Sequence, residues 1–296
     1  MATSPPVVWI PHREGVAHLD GLPIRLTVFD GRGEPPDSLG EVEFCVPGRP
    51  SPGMLAAISA MPGLRVLQTL AAGVDGFRRT LPEGVTLCNG RGIQTGAVAE
   101  WVLAAVLSMQ RLHPNGPQPG PRARTLDGAT VLIVGYGEIG AAVEERLIPF
   151  GCRVLRVARR ARDGVHGVAE LPGLLPGADV VVSLLPRTAE TRGMFGAEEF
   201  ALMPDGALFV NAGRGDAADT DALVKEVGRL RAALDVTDPE PLPDDHPLRA
   251  SGRVLLTPHV AGQTTAFLPR AYALVRDQLE RHLDGRPLRT VGEKDS

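Results

Sequence analysis

Lysine is almost missing from this chain. Only Lys225 and Lys294 occur, and the rest of the 31 Lys and Arg residues are Arg. A lone Arg, or an Arg pair, therefore says less about function here than it usually would. Cysteine is scarce too: Cys45, Cys88 and Cys152 stand far apart with no CxxC pair. That pattern excludes a disulfide framework or a zinc site and fits reduced thiols in a cytoplasm. Positive charge is not in excess; a formal net charge of −4 gives no sign of nucleic-acid binding. The start, MATSPPVVWIPHREG, lacks a basic stretch leading into an apolar run, so no signal peptide is expected. The longest apolar run, residues 98–109, is too short to span a bilayer and contains Glu100. Internal repeats and low-complexity tracts are absent.

What is present is a hydrophobic content of 43%, ample for a core, in 296 residues that fit one large domain or two ordinary ones. The stretch VLIVGYGEIG, residues 131–140, organises the chain. Four apolar β-formers lead into Gly135, Gly137 and Gly140, and the residues after them have helical spacing. Strand, glycine turn and helix form the dinucleotide-binding layout. Gly135 permits the tight turn, Gly137 lets the backbone approach a pyrophosphate, and Gly140 lets helix and strand pack closely. The helix start, with Tyr136, Glu138 and Ile139, offers N–H groups and a positive dipole end to phosphates.

Before this point, short β-rich runs alternate with turns: VVWI (7–10), IRLTVF (24–29), VEFCV (42–46), LRVLQTL (64–70) and VTLCN (85–89), with a helix over 52–61. They suggest a small parallel α/β domain. The spacing of Val98, Trp101, Val102, Ala105, Val106 and Met109 predicts a helix over 95–112, and PNGPQPGPRAR (114–124) reads as a linker. Six further strands are expected at 130–134, 153–157, 179–185, 207–211, 232–236 and 254–258, with helices between them, as in a doubly wound sheet. A last helix over 265–283 is placed to cover the first domain. Ligands in such sheets sit beyond the carboxyl ends of the strands. Three residues stand out there: Arg214 in NAGRG, Glu240 in DVTDPEPLP and His259 in TPHVAG. Hydride transfer to a 2-oxo acid needs a guanidinium for the carboxylate, a proton donor for the carbonyl oxygen, and a carboxylate that stabilises the imidazolium. Arg, His and Glu supply these three parts.

From about residue 64 to 265 the chain resembles the D-isomer-specific 2-hydroxyacid dehydrogenase family. The resemblance lies in AAGVDG (71–76), RGIQTGAVAEWVLAAVL (91–107), GYGEIG, SLLPRTAETRGMF (183–195), NAGRG, LDVTDPEPLP and LTPHVAGQT, in that order. It implies an α/β fold: a doubly wound (Rossmann) cofactor domain, residues 95–264, and a smaller flavodoxin-like substrate domain, residues 1–94 and 265–296, that closes on it. It implies that Arg214 binds the substrate carboxylate, that His259 donates or accepts the proton, and that Glu240 pairs with His259. Backbone N–H groups of Ala72, Gly73 and Val74 would grip the acid. Leu185, Pro186, Thr191, Ala212, Gly213 and Gly262 would line the cofactor, with Asp235 holding the nicotinamide carboxamide. The implied substrates are small 2-oxo or D-2-hydroxy acids, glyoxylate and hydroxypyruvate first. A homodimer is implied, with no metal, membrane or nucleic acid.

Two departures matter. Enzymes that use NAD place an acid at the end of the second strand. Here that position is Ala158, followed by Arg159 and Arg160, so NADP(H) is expected to be preferred and NAD(H) accepted at most second. The segment 111–126, where the family has a longer arm on its partner subunit, is short and proline-rich. Formate-type relatives differ by carrying an amide at the Glu240 position. A phosphite-type dehydrogenase on the same residues and a non-catalytic nucleotide-sensing module are the alternatives.

Overall fold

The computed structural model of the chain describes residues 4–111 and 123–289. They divide into two compact units: residues up to Gln94 together with those from Thr265 on, and residues Thr95–Thr264.

In the first unit the apolar runs become β1 (Val7–Ile10), β2 (Arg25–Val28), β3 (Val42–Cys45), β4 (Val66–Gln68) and β5 (Thr86–Cys88). All pairings are parallel and the order is β2-β1-β3-β4-β5, the flavodoxin-like arrangement. Helix α1 (Pro52–Ser59) follows β3; Ser51 caps it by accepting from Met54 N at 3.2 Å, and Pro52 begins it. A short helix, α2 (Asp75–Arg78), follows β4. Strand β4 is shorter than the run over 64–70 suggested, because the chain turns at Thr69, whose hydroxyl donates to Ala71 O.

The second unit begins with α3 (Thr95–Arg111). Then come β6 (Thr130–Val134), α4 (Glu138–Leu147), β7 (Arg153–Ala158), β8 (His166–Gly167), α5 (Leu171–Leu174) and β9 (Val180–Ser183). After them run α6 (Ala197–Leu202), β10 (Leu208–Asn211), α7 (Thr220–Glu226), β11 (Arg231–Leu234), α8 (Pro247–Ala250) and β12 (Val254–Leu256). The seven strands are parallel, in the order β12-β11-β10-β9-β6-β7-β8. This is the doubly wound order with one strand more than the six expected. The extra strand, β8, is two residues long and leaves no periodic trace. Both faces of the sheet are covered, so Val131, Leu132, Ile133, Val134, Val180, Val181 and Val182 are fully buried. Continuous apolar runs are what such strands require. The two-sheet α/β fold read from the sequence is thus the fold of the chain. The expected linker over 114–124 lies, up to residue 122, outside the described residues.

Helix α9 (Phe267–Leu283) packs on the five-stranded sheet. Ala271, Tyr272, Val275 and Leu279 join a core with Val8, Ile10 and Phe44. Each large apolar side chain fully buried this way contributes about 1.5–3 kcal/mol. A buried amide pair adds register: Gln278 Nε2 donates to Gln68 Oε1 at 2.8 Å, and Gln68 Nε2 donates to Thr69 O and Asn89 O. In the second unit the Arg231 guanidinium closes the C-terminus of α3. It donates to Met109 O, to Gln110 Oε1 at 2.8 Å and to Gly206 O at 2.9 Å. Burial pushes Arg231 down to about 10. No described helix is long and apolar enough to cross a membrane.

Candidate active site

The glycine turn lies at the carboxyl end of β6, the strand on either side of which the later strands of the parallel sheet are added. Gly135 has φ +94, and a Cβ there would stand 2.7 Å from Leu184 O. Only glycine fits. Gly135 N and Tyr136 N both donate to Val157 O, which ties the turn to β7. Gly137 is the N-cap of α4 and has no side chain to cap it. The first-turn N–H groups of a helix have no acceptor within the helix. A Cβ on Gly140 would lie 3.2 Å from the Tyr136 ring and 3.3 Å from Ile133 Cγ2, so the helix packs closely on the strand.

Ala158 ends β7, and Arg159 and Arg160 follow it, both exposed. Position 158 itself carries no carboxylate; the exposed Glu190 lies within electrostatic reach of Arg159. A third guanidinium, Arg162, donates from Nη2 to Tyr136 O at 2.8 Å, and Arg162 and Arg156 lie 5.9 and 5.7 Å from the Tyr136 ring centre. Sequence reasoning missed this cluster. Tyr136 O–H donates to Glu144 Oε2 at 2.5 Å, and Arg156 grips both Glu144 oxygens. The Arg156 bonds hold the Glu144 carboxyl below the usual range against the opposing effect of burial. Burial, then the bond to Glu144, raises the Tyr136 phenol.

Leu185 is buried and Pro186 exposed in the loop after β9. Thr191, expected to meet the cofactor, uses its hydroxyl inside this loop: it donates to Pro186 O at 2.6 Å and accepts from Thr188 N at 3.0 Å. The loop is also tied to the next one. Arg187 Nε and Arg192 Nη2 stand 3.0 and 3.4 Å from the buried Asp216 Oδ2, and Gly193 N donates to Asp216 O. Asp216, two residues past Arg214, carried no signal in the sequence beyond that adjacency.

Arg214 follows β10 in a turn built by Asn211. Asn211 Nδ2 donates to Arg214 O at 3.0 Å, and its Oδ1 accepts from Gly213 N at 3.2 Å. Ala212 and Gly213 are held close: a Cβ on Gly213 would come 2.6 Å from Leu185 N. One on Gly215 would overlap Thr237 O, so the turns after β10 and β11 touch. Arg214 is half-buried and its Nη1 donates to Gly213 O at 2.9 Å.

Glu240 and His259, 19 residues apart, meet after β11 and β12. His259 Nδ1 lies 2.6 Å from Glu240 Oε1, with the side chains 42% and 40% exposed. A carboxylate only accepts, so Nδ1 carries the proton and Nε2 is left for another partner. His259 has φ +54, and among the described residues it is the one non-glycine with a positive φ. Asp235, at the end of β11, is buried, and its carboxylate faces the His259 turn. Gly262 lies in the turn that follows, which Gln263 N closes by donating to Val260 O at 2.8 Å. Arg214, Glu240 and His259 thus follow three adjacent strands, β10, β11 and β12.

In the first unit, the loop after β4 is fixed through its carbonyls. Ala71 O accepts from Gly90 N and Thr69 Oγ1, and Ala72 O accepts from Asn89 Nδ2 at 3.3 Å. The N–H groups of Ala72, Gly73 and Val74 donate to no protein acceptor among the described residues.

The NAD-binding domain of the D-isomer-specific 2-hydroxyacid dehydrogenases matches residues 104–261. The glyoxylate/hydroxypyruvate reductase B of Salmonella gallinarum is 34% identical over 254 residues, 78% of this chain and 78% of that one. The chloroplastic/mitochondrial formate dehydrogenase of Arabidopsis thaliana is 33% identical over 245 residues, 75% of this chain; the match spans 64% of that relative's length. Among solved structures, a D-isomer-specific 2-hydroxyacid dehydrogenase from Xanthobacter autotrophicus Py2, in complex with NADPH and MES, superposes with a TM-score of 0.80 at 31% identity, covering 97% of this chain and 99% of that one. This chain belongs to the D-isomer-specific 2-hydroxyacid dehydrogenase family.

Proposed function

We propose that the chain is a nicotinamide-dependent reductase of small 2-oxo acids, with glyoxylate or hydroxypyruvate as substrate and NADPH as the preferred donor. The 2.6 Å pair of His259 and Glu240, one strand away from Arg214, carries this reading. NADPH, when bound, supplies the hydride. The Arg214 guanidinium holds the substrate carboxylate as an ion pair. His259 gives a proton from Nε2 to the carbonyl oxygen as the hydride reaches the carbon, leaving a 2-hydroxy acid. Glu240 stabilises the imidazolium before transfer and keeps Nδ1 protonated after it. The two units act as cofactor domain (95–264) and substrate domain (1–94 with 265–296).

The Gly135, Gly137 and Gly140 turn and the start of α4 would hold the cofactor's diphosphate. Preference for NADPH is supported by Ala158, which presents no carboxylate to a 2′-phosphate, and by exposed Arg159 and Arg160 beside it. A relative solved with NADPH supports the same choice. Glu240 argues against formate as substrate despite the plant relatives, because the formate-type site is expected to hold an amide there. The protein is proposed to work as a homodimer, which light scattering checks.

The test is absorbance loss at the reduced-nicotinamide band with glyoxylate and hydroxypyruvate, NADPH against NADH. Faster turnover with NADPH supports both halves of the reading. Turnover with NADH alone removes the cofactor preference. No turnover with either, nor with phosphite and NADP, favours a nucleotide-sensing module.

A further inference from the structure

A carboxylate out of water must find hydrogen-bond donors. Asp235 is 3% exposed, and its donors come from one short stretch. Oδ1 accepts from Thr257 Oγ1 at 2.6 Å and from Val260 N at 2.8 Å; Oδ2 accepts from Ala261 N at 2.8 Å. The main-chain carbonyl of the same residue accepts from His259 N at 2.8 Å. Three consecutive N–H groups, at 259, 260 and 261, therefore converge on one residue. Such a concave nest forms only where the backbone switches hand, and here the switch falls on His259 with φ +54. A residue with a Cβ resists that conformation. Something must hold it, and the three bonds to the Asp235 carboxylate do so. The backbone conformation at 259 in turn sets the direction of its side chain, which ends 2.6 Å from Glu240.

The family resemblance gives Asp235 a different duty, a contact with the nicotinamide carboxamide. Of roughly four acceptor positions on a carboxylate, the His259 turn takes three. We propose that Asp235 is a positioning residue for His259: its carboxylate holds the 257–261 turn in the left-handed form that aims the ring at Glu240 and at the reacting oxygen. The role given to His259 rests on the function proposed above.

Asp235→Asn separates the two duties. It places an N–H₂ against an N–H of the turn, yet keeps a polar group for the carboxamide. The positioning role lowers kcat about 100-fold, the usual scale for a misplaced group, while NADPH binds as tightly as before by fluorescence titration. Thr257→Val, which removes one of the three bonds, costs about fivefold in kcat, and putting the hydroxyl back with Thr257→Ser rescues it. That pair keeps the proposal testable if Asp235→Asn does not fold. A second readout needs no turnover: the proton shared by His259 and Glu240 gives a low-field NMR signal in the parent, lost in Asp235→Asn. A parent without that signal, or an Asp235→Asn protein that keeps it, overturns the proposal. So does an Asp235→Asn protein that binds NADPH about tenfold more weakly with kcat unchanged. A parent that reduces no 2-oxo acid removes the function proposed above, and the NMR signal then still decides the role of Asp235.

Discussion

Two turns at strand ends gather backbone N–H groups, and they are completed from opposite sides. The turn after β6 uses glycine where the backbone is left-handed, at Gly135, and again at the N-cap of α4, Gly137. Gly135 N, Tyr136 N and Gly137 N are already bonded within the unit, so what suits an anion from outside the chain is the start of α4, whose N-cap has no side chain to close it. The turn after β12 puts a histidine in the left-handed position and closes on a carboxylate of its own chain, Asp235. On the function proposed above, the difference comes from what each turn must present. A phosphate site needs bare backbone. A proton donor needs a side chain at the turn, so the conformation that glycine adopts freely has to be held by bonds.

The predictions test that contrast, the largest effect first. His259→Ala removes the side chain for which the second turn is built; turnover should fall by about 100-fold or more with NADPH binding intact. Arg214→Ala should cost a similar factor in kcat/KM, again with NADPH still bound, since a charge-assisted pair to the acid is lost. Unchanged turnover in either variant breaks the active-site assignment. In the first turn the converse substitution, Gly135→Ala, adds a Cβ 2.7 Å from Leu184 O at a positive φ. Thermal unfolding should report a loss of about 2–4 kcal/mol, and nucleotide binding should go with it.

Smaller effects sharpen the comparison. Replacing Arg159 and Arg160 together by Ser should lower kcat/KM for NADPH roughly 10- to 100-fold and leave NADH alone; equal losses with both cofactors argue against a 2′-phosphate contact. Glu240→Gln removes the negative charge 2.6 Å from His259. Turnover should fall about tenfold, as a charge-assisted hydrogen bond becomes a neutral one, and unchanged turnover counts against the pair. The least change is in acid stability. Arg156 holds Glu144 ionised below the ordinary glutamate range. Its stabilisation is present above that range and lost as pH falls through the lowered value, on the order of 1 kcal/mol. Glu144→Gln should flatten the acid limb of a stability profile measured in urea.

The glycine turn was legible because its chemistry is local. Three glycines at fixed spacing after an apolar strand constrain the backbone whatever surrounds them. Strand positions were legible for the same reason, Val-rich runs between Gly and Pro, and the one strand missed is the two-residue β8. Arg214, Glu240 and His259 were legible from their places just beyond the carboxyl ends of strands. The residues that hold them were not. Asn211 reads as the end of a strand, Asp216 carries no signal of its own, and Arg162 is one Arg among many. Their partners lie far off in sequence, as with Arg187 and Asp216, or bond through backbone atoms that every residue carries.

By itself, then, the sequence determined two parallel sheets, a strand–glycine turn–helix unit and the places of Arg214, Glu240 and His259 at neighbouring strand ends, because periodicity and glycine spacing act within a few residues. Only the tertiary structure decided that Glu240 meets His259, that Asp216 faces Arg187 and Arg192, and that Asp235 closes the His259 turn across 22 to 26 residues. The register of adjacent strands sets which loops meet, and a buried carboxylate takes whichever donors that meeting brings.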